Sequence, residues 1–306
     1  MASGSKKVIY AALIGNFLIA ITKFFAAFLT GSSAMLSEGI HSLVDTGNQV
    51  LLLYGLRRAK LPPDERFPFG HGKEVYFWSF VVAILIFAVG SGISLYEGIQ
   101  HMLHPSHMDD PTINYIVLIL AMIFEGFAWY FAWKEFKKVK GERDYFTAVQ
   151  RSKDPTIFVV LFEDSAAMLG LMVAFLGVWL AQVTHNPIFD GLASVIIGLI
   201  LGGTAIWLAI ETKSLLIGES ADPKVIRGIR EMTQAYPEIL HINEVLTMHM
   251  GPEFILVNLS VNFADNNRPD DIERVIAQLD KQIKQSFPRV KRVFVEAERQ
   301  KISPAS

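Results

Sequence analysis

Residues 157–182 read IFVVLFEDSAAMLGLMVAFLGVWLAQ, and the only ionisable side chains among them are the adjacent Glu163 and Asp164. A helix rises 1.5 Å per residue, so roughly 20 apolar residues cross a hydrocarbon core of ~30 Å. The stretch therefore reads as a membrane span carrying two carboxyls. Five further runs of similar length lie at about 8–29, 33–57, 75–98, 113–134 and 188–211. Pro105 and Pro111 separate the third run from the fourth, and Asn186-Pro187 separates the fifth from the sixth. The reading is an α-helical membrane protein with six transmembrane helices.

Composition agrees. Of the 306 residues, 51 % are hydrophobic and 19 % charged, and the mean hydropathy is +0.34. Soluble domains carry about a quarter charged residues. The net charge of −2 and the lack of a basic stripe argue against nucleic acid as a partner. With no cysteine, disulfide scaffolds and thiolate zinc sites are excluded. Met1 to Lys7 leads straight into the first run with no small-residue cleavage pattern. It is read as the start of a span rather than a removed signal peptide.

The loops set the orientation. Arg57, Arg58, Lys60, Arg66 and Lys73 crowd the connection after the second run. Lys134, Lys137, Lys138, Lys140, Arg143, Arg151 and Lys153 crowd the one after the fourth. Lys6 and Lys7 precede the first run and Lys213 follows the last, while the other three connections hold no Lys or Arg. The positive-inside rule then places both termini and both basic loops in the cytoplasm, in the plasma (inner) membrane if the cell is prokaryotic.

Near Gly218 the character changes to ordinary soluble sequence, which suggests a membrane domain over 1–217 and a cytoplasmic α+β domain over 218–306. The tail reads α-β-β-α-β. Asp222 caps a helix with Pro223 at its first position, ending near Tyr236-Pro237. Residues 242–249 form a strand. In 255–263 the odd positions are apolar, and Asn258, Ser260 and Asn262 are polar, as in a half-buried strand. Asp270 or Asp271 starts a second helix, and Val290 to Val295 is the last strand. A small open sheet with helices on one face follows.

Polar side chains inside a span are costly and mark function by default. The second run holds Glu38, His41, Asp45, Asn48 and Gln49. His41 and Asp45 stand at i and i+4 on one helix face. They read either as a grip on one small divalent cation, zinc suiting imidazole plus carboxylate, or as a hydrogen bond pinning helices. Glu163 and Asp164 cannot both stay charged in hydrocarbon without a cation or a proton. One can face His41 and Asp45 while the other points ~100° away. Glu125 in the fourth run reads as a proton relay, a further ligand or a protonated structural carboxyl. Lys23 and Glu97 read as snorkelling or structural pairs, and the aromatic cluster Phe127, Trp129, Tyr130, Phe131 and Trp133 as an interfacial belt. In the first basic loop, Asp64 and His71 read as a second metal site, an entry funnel or a capped turn. His101, His104, His107, Asp109 and Asp110 read as weak metal capture on exit or an uncoordinated polar loop, and Met248-His249-Met250 with Glu296 and Glu298 as a tail metal site or ordinary strand-end residues.

Three stretches together resemble the cation diffusion facilitators. Gly31-Ser32-Ser33-Ala34-Met35-Leu36-Ser37-Glu38-Gly39-Ile40-His41-Ser42-Leu43-Val44-Asp45 is similar to that family's second-helix signature. Phe69-Gly70-His71-Gly72-Lys73-Glu74 is similar to its following loop, and Glu163-Asp164-Ser165-Ala166-Ala167 with Gly170 to its fifth helix. The resemblance implies a homodimer that exports divalent cations, chiefly zinc, in exchange for protons. It also implies a ferredoxin-like (metallochaperone-like) tail that helps the dimer form. His41, Asp45 and Asp164 would be the transport ligands. The family's remaining ligand position, four before Asp164, is Val160 here, so Glu163 or water would complete the shell. The Glu163-Asp164 pair looks like the branch containing human zinc transporter nine. Asn258 stands where some relatives place a metal-binding histidine.

The expected function is thus proton-coupled divalent-cation efflux by alternating access, without enzyme activity or resident cofactor. The partners are the bilayer, the metal ion, protons and a second copy of the chain. No G-x-x-x-x-G-K-[ST] loop cradles ATP, and no His-Glu-x-x-His marks a metalloprotease. Iron, cobalt, nickel, cadmium and manganese stand as alternative cargoes, because two carboxylates and one imidazole tolerate several metals. A metal sensor or scaffold that does not transport is the alternative of another class.

Overall fold

Backbone N–H and C=O groups in hydrocarbon have no water to bond, so a run entering a membrane folds as a helix that satisfies them internally. The computed structural model describes residues 3–104, 112–140 and 154–300, and the long apolar runs are helical. The chain divides into two compact units. One holds Met1–Arg57 and Val75–Lys213, the other Arg58–Glu74 and Ser214–Ser306. The loop after the second helix thus folds with the tail.

The helices are α1 (Ser3–Thr30), α2 (Ser33–Arg58), α3 (Glu74–Leu85), α4 (Gly92–Leu103), α5 (Thr112–Lys140), α6 (Pro155–Thr184) and α7 (Ile188–Ile217). Among the described residues, four helical stretches are long and apolar enough to cross a membrane: Glu74–Leu103, Thr112–Lys134, Phe158–Thr184 and Ile188–Ile217. In α1 an apolar helical stretch runs over Asn16–Thr30. α2 buries Glu38, His41, Asp45 and Asn48 among its apolar residues. The third run is not one regular helix. α3 passes into α4 through a π turn at Ile86–Ser91, and the helical path continues to Leu103, beyond the expected end at 98.

Caps set the ends. Gly31, at φ 67°, closes α1. Asp154 accepts the Thr156 N–H at 3.1 Å ahead of Pro155 and starts α6. His185, in the left-handed region at φ 52°, ends it.

α4 and α7 meet through small residues. A Cβ on Gly98 would lie 2.7 Å from the Val195 nitrogen and 2.8 Å from the Gly191 oxygen. One on Gly198 would meet Leu95 at 2.8 Å. Ser91 Oγ donates to the Gly198 carbonyl at 2.8 Å. This is the close backbone approach that small residues permit between membrane helices.

The tail of the second unit has the order α8 (Pro223–Gln234), β1 (Ile239–Gly251), β2 (Phe254–Phe263), α9 (Pro269–Ser286), β3 (Val290–Ala297). The strands lie β1-β2-β3, with β1 antiparallel and β3 parallel to β2. A parallel partner needs a crossover, which α9 supplies. Val257, Leu259 and Val261 of β2 pack with Ile229 of α8 and Val275, Leu279 and Ile283 of α9 into one core. The other face presents Leu246, Asn258 and Phe294 as one cross-strand row. Asp222 caps α8, accepting the Lys224 N–H at 2.9 Å. α9 starts earlier than expected, at Pro269, and Asp271 instead accepts the Arg268 N–H at 3.4 Å. Proline at the first position sets the start because its missing N–H is not needed there. All three strands outrun or match their expected ranges, since pairing extends past the alternating segment.

Candidate functional site

α2 places Glu38, His41, Ser42, Asp45 and Asn48 along one buried face, as i, i+3, i+4 spacing dictates. α6 places Glu163 and Asp164 opposite, and α5 contributes Glu125. All of these carboxyls are buried.

His41 Nδ1 lies 3.4 Å from Asp45 Oδ1. The contact lacks hydrogen-bond geometry, and both His41 ring nitrogens and Asp45 Oδ1 are buried without a hydrogen-bond partner among the described residues. Asp45 and Glu163 come within side-chain hydrogen-bonding reach of each other. Asn48 Nδ2 donates to Glu163 Oε1 at 2.6 Å and ties α2 to α6. Asp164 and Glu125 lie within electrostatic range of Asp45. The sequence-derived ligands therefore share one neighbourhood. Among the described residues, however, no three His, Asp or Glu side chains gather closely enough to hold a metal ion. The seam offers pairs: His41 with Asp45, Asp45 with Glu163.

The expectation for Lys23 resolves in favour of pairing. Its side chain on α1 is fully buried, and Nζ donates to Glu38 Oε2 at 3.0 Å and Ser42 Oγ at 2.7 Å. α5 and α6 are joined where Trp129 Nε1 donates to Ser165 Oγ at 2.9 Å.

Asp190, in the first turn of α7, was not legible as a site residue. Its carboxylate accepts from Ser32 Oγ at 2.6 Å, the Ser33 N–H at 2.6 Å, Ser33 Oγ at 3.0 Å and the Ala34 N–H at 3.3 Å. Ser32 Oγ also accepts the Met35 N–H at 3.2 Å. The orphan N–H groups at the start of α2 are thus satisfied from another helix. An acid just after Asn186-Pro187 signals a helix start, but nothing in that signal reaches to α2. His101, at the end of α4, brings Nε2 to 3.8 Å from Asp190 Oδ2. His107, Asp109 and Asp110 lie outside the described residues, as do Arg143, Arg151 and Lys153.

In the second unit, His71 Nε2 and Asp64 Oδ2 are 3.0 Å apart, and Asp64 Oδ1 accepts the Phe67 N–H at 2.6 Å. That backbone bond, and after it the His71 side chain, hold the Asp64 carboxyl below the usual carboxylate range. Gly70, at φ 81°, allows the turn. Two ligand-type side chains therefore meet in this loop, already bonded to each other. At the strand ends, Asn258 Nδ2 donates to Glu296 Oε1 at 3.0 Å, Ser260 donates to Glu298, and His249 is buried.

Residues 9–217 match the family model described as the cation efflux transmembrane domain. The chain belongs to the cation efflux family. It is 33 % identical over 263 residues to the proton-coupled zinc antiporter SLC30A9, mitochondrial, of Mus musculus, covering 85 % of this chain and 46 % of the relative. It is 33 % identical over 235 residues to metal tolerance protein C4 of Arabidopsis thaliana, covering 74 % of this chain and 51 % of the relative. This cation efflux chain spans about half the length of those curated relatives. It is 25 % identical over 303 residues to the manganese efflux system protein MneP of Bacillus subtilis, covering 95 % of each. It is an integral membrane protein close to the SLC30A9 branch of the family.

Proposed function

We propose that this protein exports a divalent cation, zinc first, in exchange for protons through the seam between α2 and α6. The observation that carries the proposal is the buried approach of Asp45 to Glu163, beside a His41 whose two nitrogens have no hydrogen-bond partner among the described residues. Two carboxyls in contact in an apolar setting hold between them either a proton or a cation. Protons and metal therefore compete for one set of atoms, because a protonated imidazole or carboxyl cannot ligate. His41, Asp45 and Asp164 are the transport ligands, with Glu163 as the fourth and Glu125 as a proton relay. The metal enters on the cytoplasmic side and leaves on the other as the helices rock around the site. An inward proton crossing ~100 mV supplies about 2.3 kcal/mol toward that exit.

On this reading α1 and α2 join the four apolar stretches to make six spans, both termini are cytoplasmic, and 1–217 is the transport domain. Residues 218–306 form a ferredoxin-like cytoplasmic domain through which two copies dimerise. Asp64 and His71 form a weaker loop site for the same cations. The mouse relative's mitochondrial name widens the host membrane from plasma membrane to organelle. Manganese is the second cargo, favoured by similarity to a manganese efflux protein over 95 % of each chain and by the oxygen-rich donor set.

The test is proton flux in proteoliposomes on addition of Zn2+ or Mn2+, for wild type and Asp45→Ala. Metal-dependent flux that falls at least ~100-fold in the variant supports the exchanger. A folded wild type without flux for either metal overturns it in favour of a sensor or scaffold.

A further inference from the structure

The fully buried Lys23 ammonium is a cation sitting in oxygen donors. Glu38 Oε2 and Ser42 Oγ hold it at 3.0 and 2.7 Å. The other Glu38 oxygen, Oε1, is buried with no hydrogen-bond partner among the described residues. It faces α6 at Gly170, where a Cβ would run into it. Only the residue type without a side chain leaves room for that carboxylate oxygen itself against α6. Glu38 and Ser42 lie on the α2 face that continues through His41 to Asp45, toward the Ser33 end of the helix. Lys23 lies within electrostatic range of His41 and Glu125.

A buried ion pair adds little stability over an apolar pair of similar volume. Pinning α1 to α2 does not require a lysine and a glutamate. It also gives no reason to leave one carboxylate oxygen bare.

We propose that Glu38 and Ser42 form a second, oxygen-only stop for the departing divalent ion, and that Lys23 is the tethered cation filling it when cargo is absent. The inference rests on the transport reading above. The exchange is ionic. Cargo leaving His41 and Asp45 displaces the ammonium from Glu38, and the ammonium returns once the cargo has gone, opposing its re-entry. Hard oxygen donors suit a transient stop, whereas the imidazole stays with the tighter one.

The full chain, purified in detergent and titrated with Zn2+, provides the test. Lys23→Met is expected to bind one more Zn2+ per chain than wild type, and Lys23→Met/Glu38→Gln to lose that extra ion. Equal binding by wild type and Lys23→Met overturns the proposal. If Lys23→Met does not give monodisperse protein, the charge-balanced double variant in proteoliposomes decides. Zinc-driven flux at least ~10-fold below wild type at unchanged KM supports an exit stop, and wild-type flux overturns it. A wild type without flux, together with the extra ion in Lys23→Met, defeats the transport reading while leaving the site in place.

Discussion

Along α4 and α7 the backbones approach until no Cβ fits at Gly98 or Gly198, and the one side-chain bond described there, Ser91 to the Gly198 carbonyl, is satisfied. Along α2 and α6 the same helical unit buries carboxyls, an imidazole and amides. His41, Asp45, Asn48 and Glu38 each leave a buried polar atom without a hydrogen-bond partner among the described residues. Each such atom costs about 1–3 kcal/mol. Dispersion makes the first seam stable in one arrangement. The second is under-satisfied, and an arriving cation or proton would offset the cost. A transporter needs both: a rigid element to move against, and a site whose ground state is incomplete.

The comparison breaks first at the tight seam. Gly98→Ala forces a Cβ onto α7 backbone, where no flexible side chain can give way. It should destabilise by about 3 kcal/mol, read as thermal unfolding of the detergent-solubilised protein. Wild-type stability would mean that the two helices slide as freely as α2 and α6.

Asp190→Ala removes a single acceptor from several donors at the start of α2. It should cost about 2 kcal/mol by the same measurement. A negligible change would show water filling the place of the carboxylate and would end its role as a tie between α7 and α2.

The under-satisfied seam predicts the opposite sign. Ser37 Oγ is buried with no hydrogen-bond partner among the described residues, so Ser37→Ala should stabilise by about 1 kcal/mol while metal-driven flux persists. Destabilisation would mean that the hydroxyl has a partner after all.

The smallest effect lies in the loop, where the half-exposed Asp64 carboxylate is paired with His71. The lowered Asp64 pKa stabilises the folded loop above the ordinary carboxylate value near ~4, and that stabilisation is lost as pH falls through the folded value. The Phe67 amide should lose hydrogen-exchange protection below about pH 4, and Asp64→Asn should remove the pH dependence. Protection that persists to lower pH in wild type would assign it to the turn backbone alone.

Much of the candidate site was legible because its residues break a rule that apolar runs otherwise obey. His41, Asp45, Glu163, Asp164 and Glu125 stand out as ionisable groups in hydrocarbon-length sequence, and the structure brings them into one neighbourhood. Asp190 stayed hidden because an acid in the first turn of a helix already has a local explanation. Lys23 had two readings, snorkelling and pairing, and only its fully buried contact with Glu38 separated them. The π turn within the third run also left no mark, since periodicity over six residues does not distinguish π from α hydrogen bonding.

By itself the sequence determined where helices run, where the composition turns to that of ordinary soluble sequence and which helix faces carry charge. Those depend on run length, breakers and periodicity, which are properties of neighbours along the chain. Only the tertiary structure decided which helix each buried group meets: Asn48 with Glu163, Lys23 with Glu38, Asp190 with the start of α2. Such partners lie up to 158 residues apart, and their choice depends on how the helices pack, which no local pattern encodes.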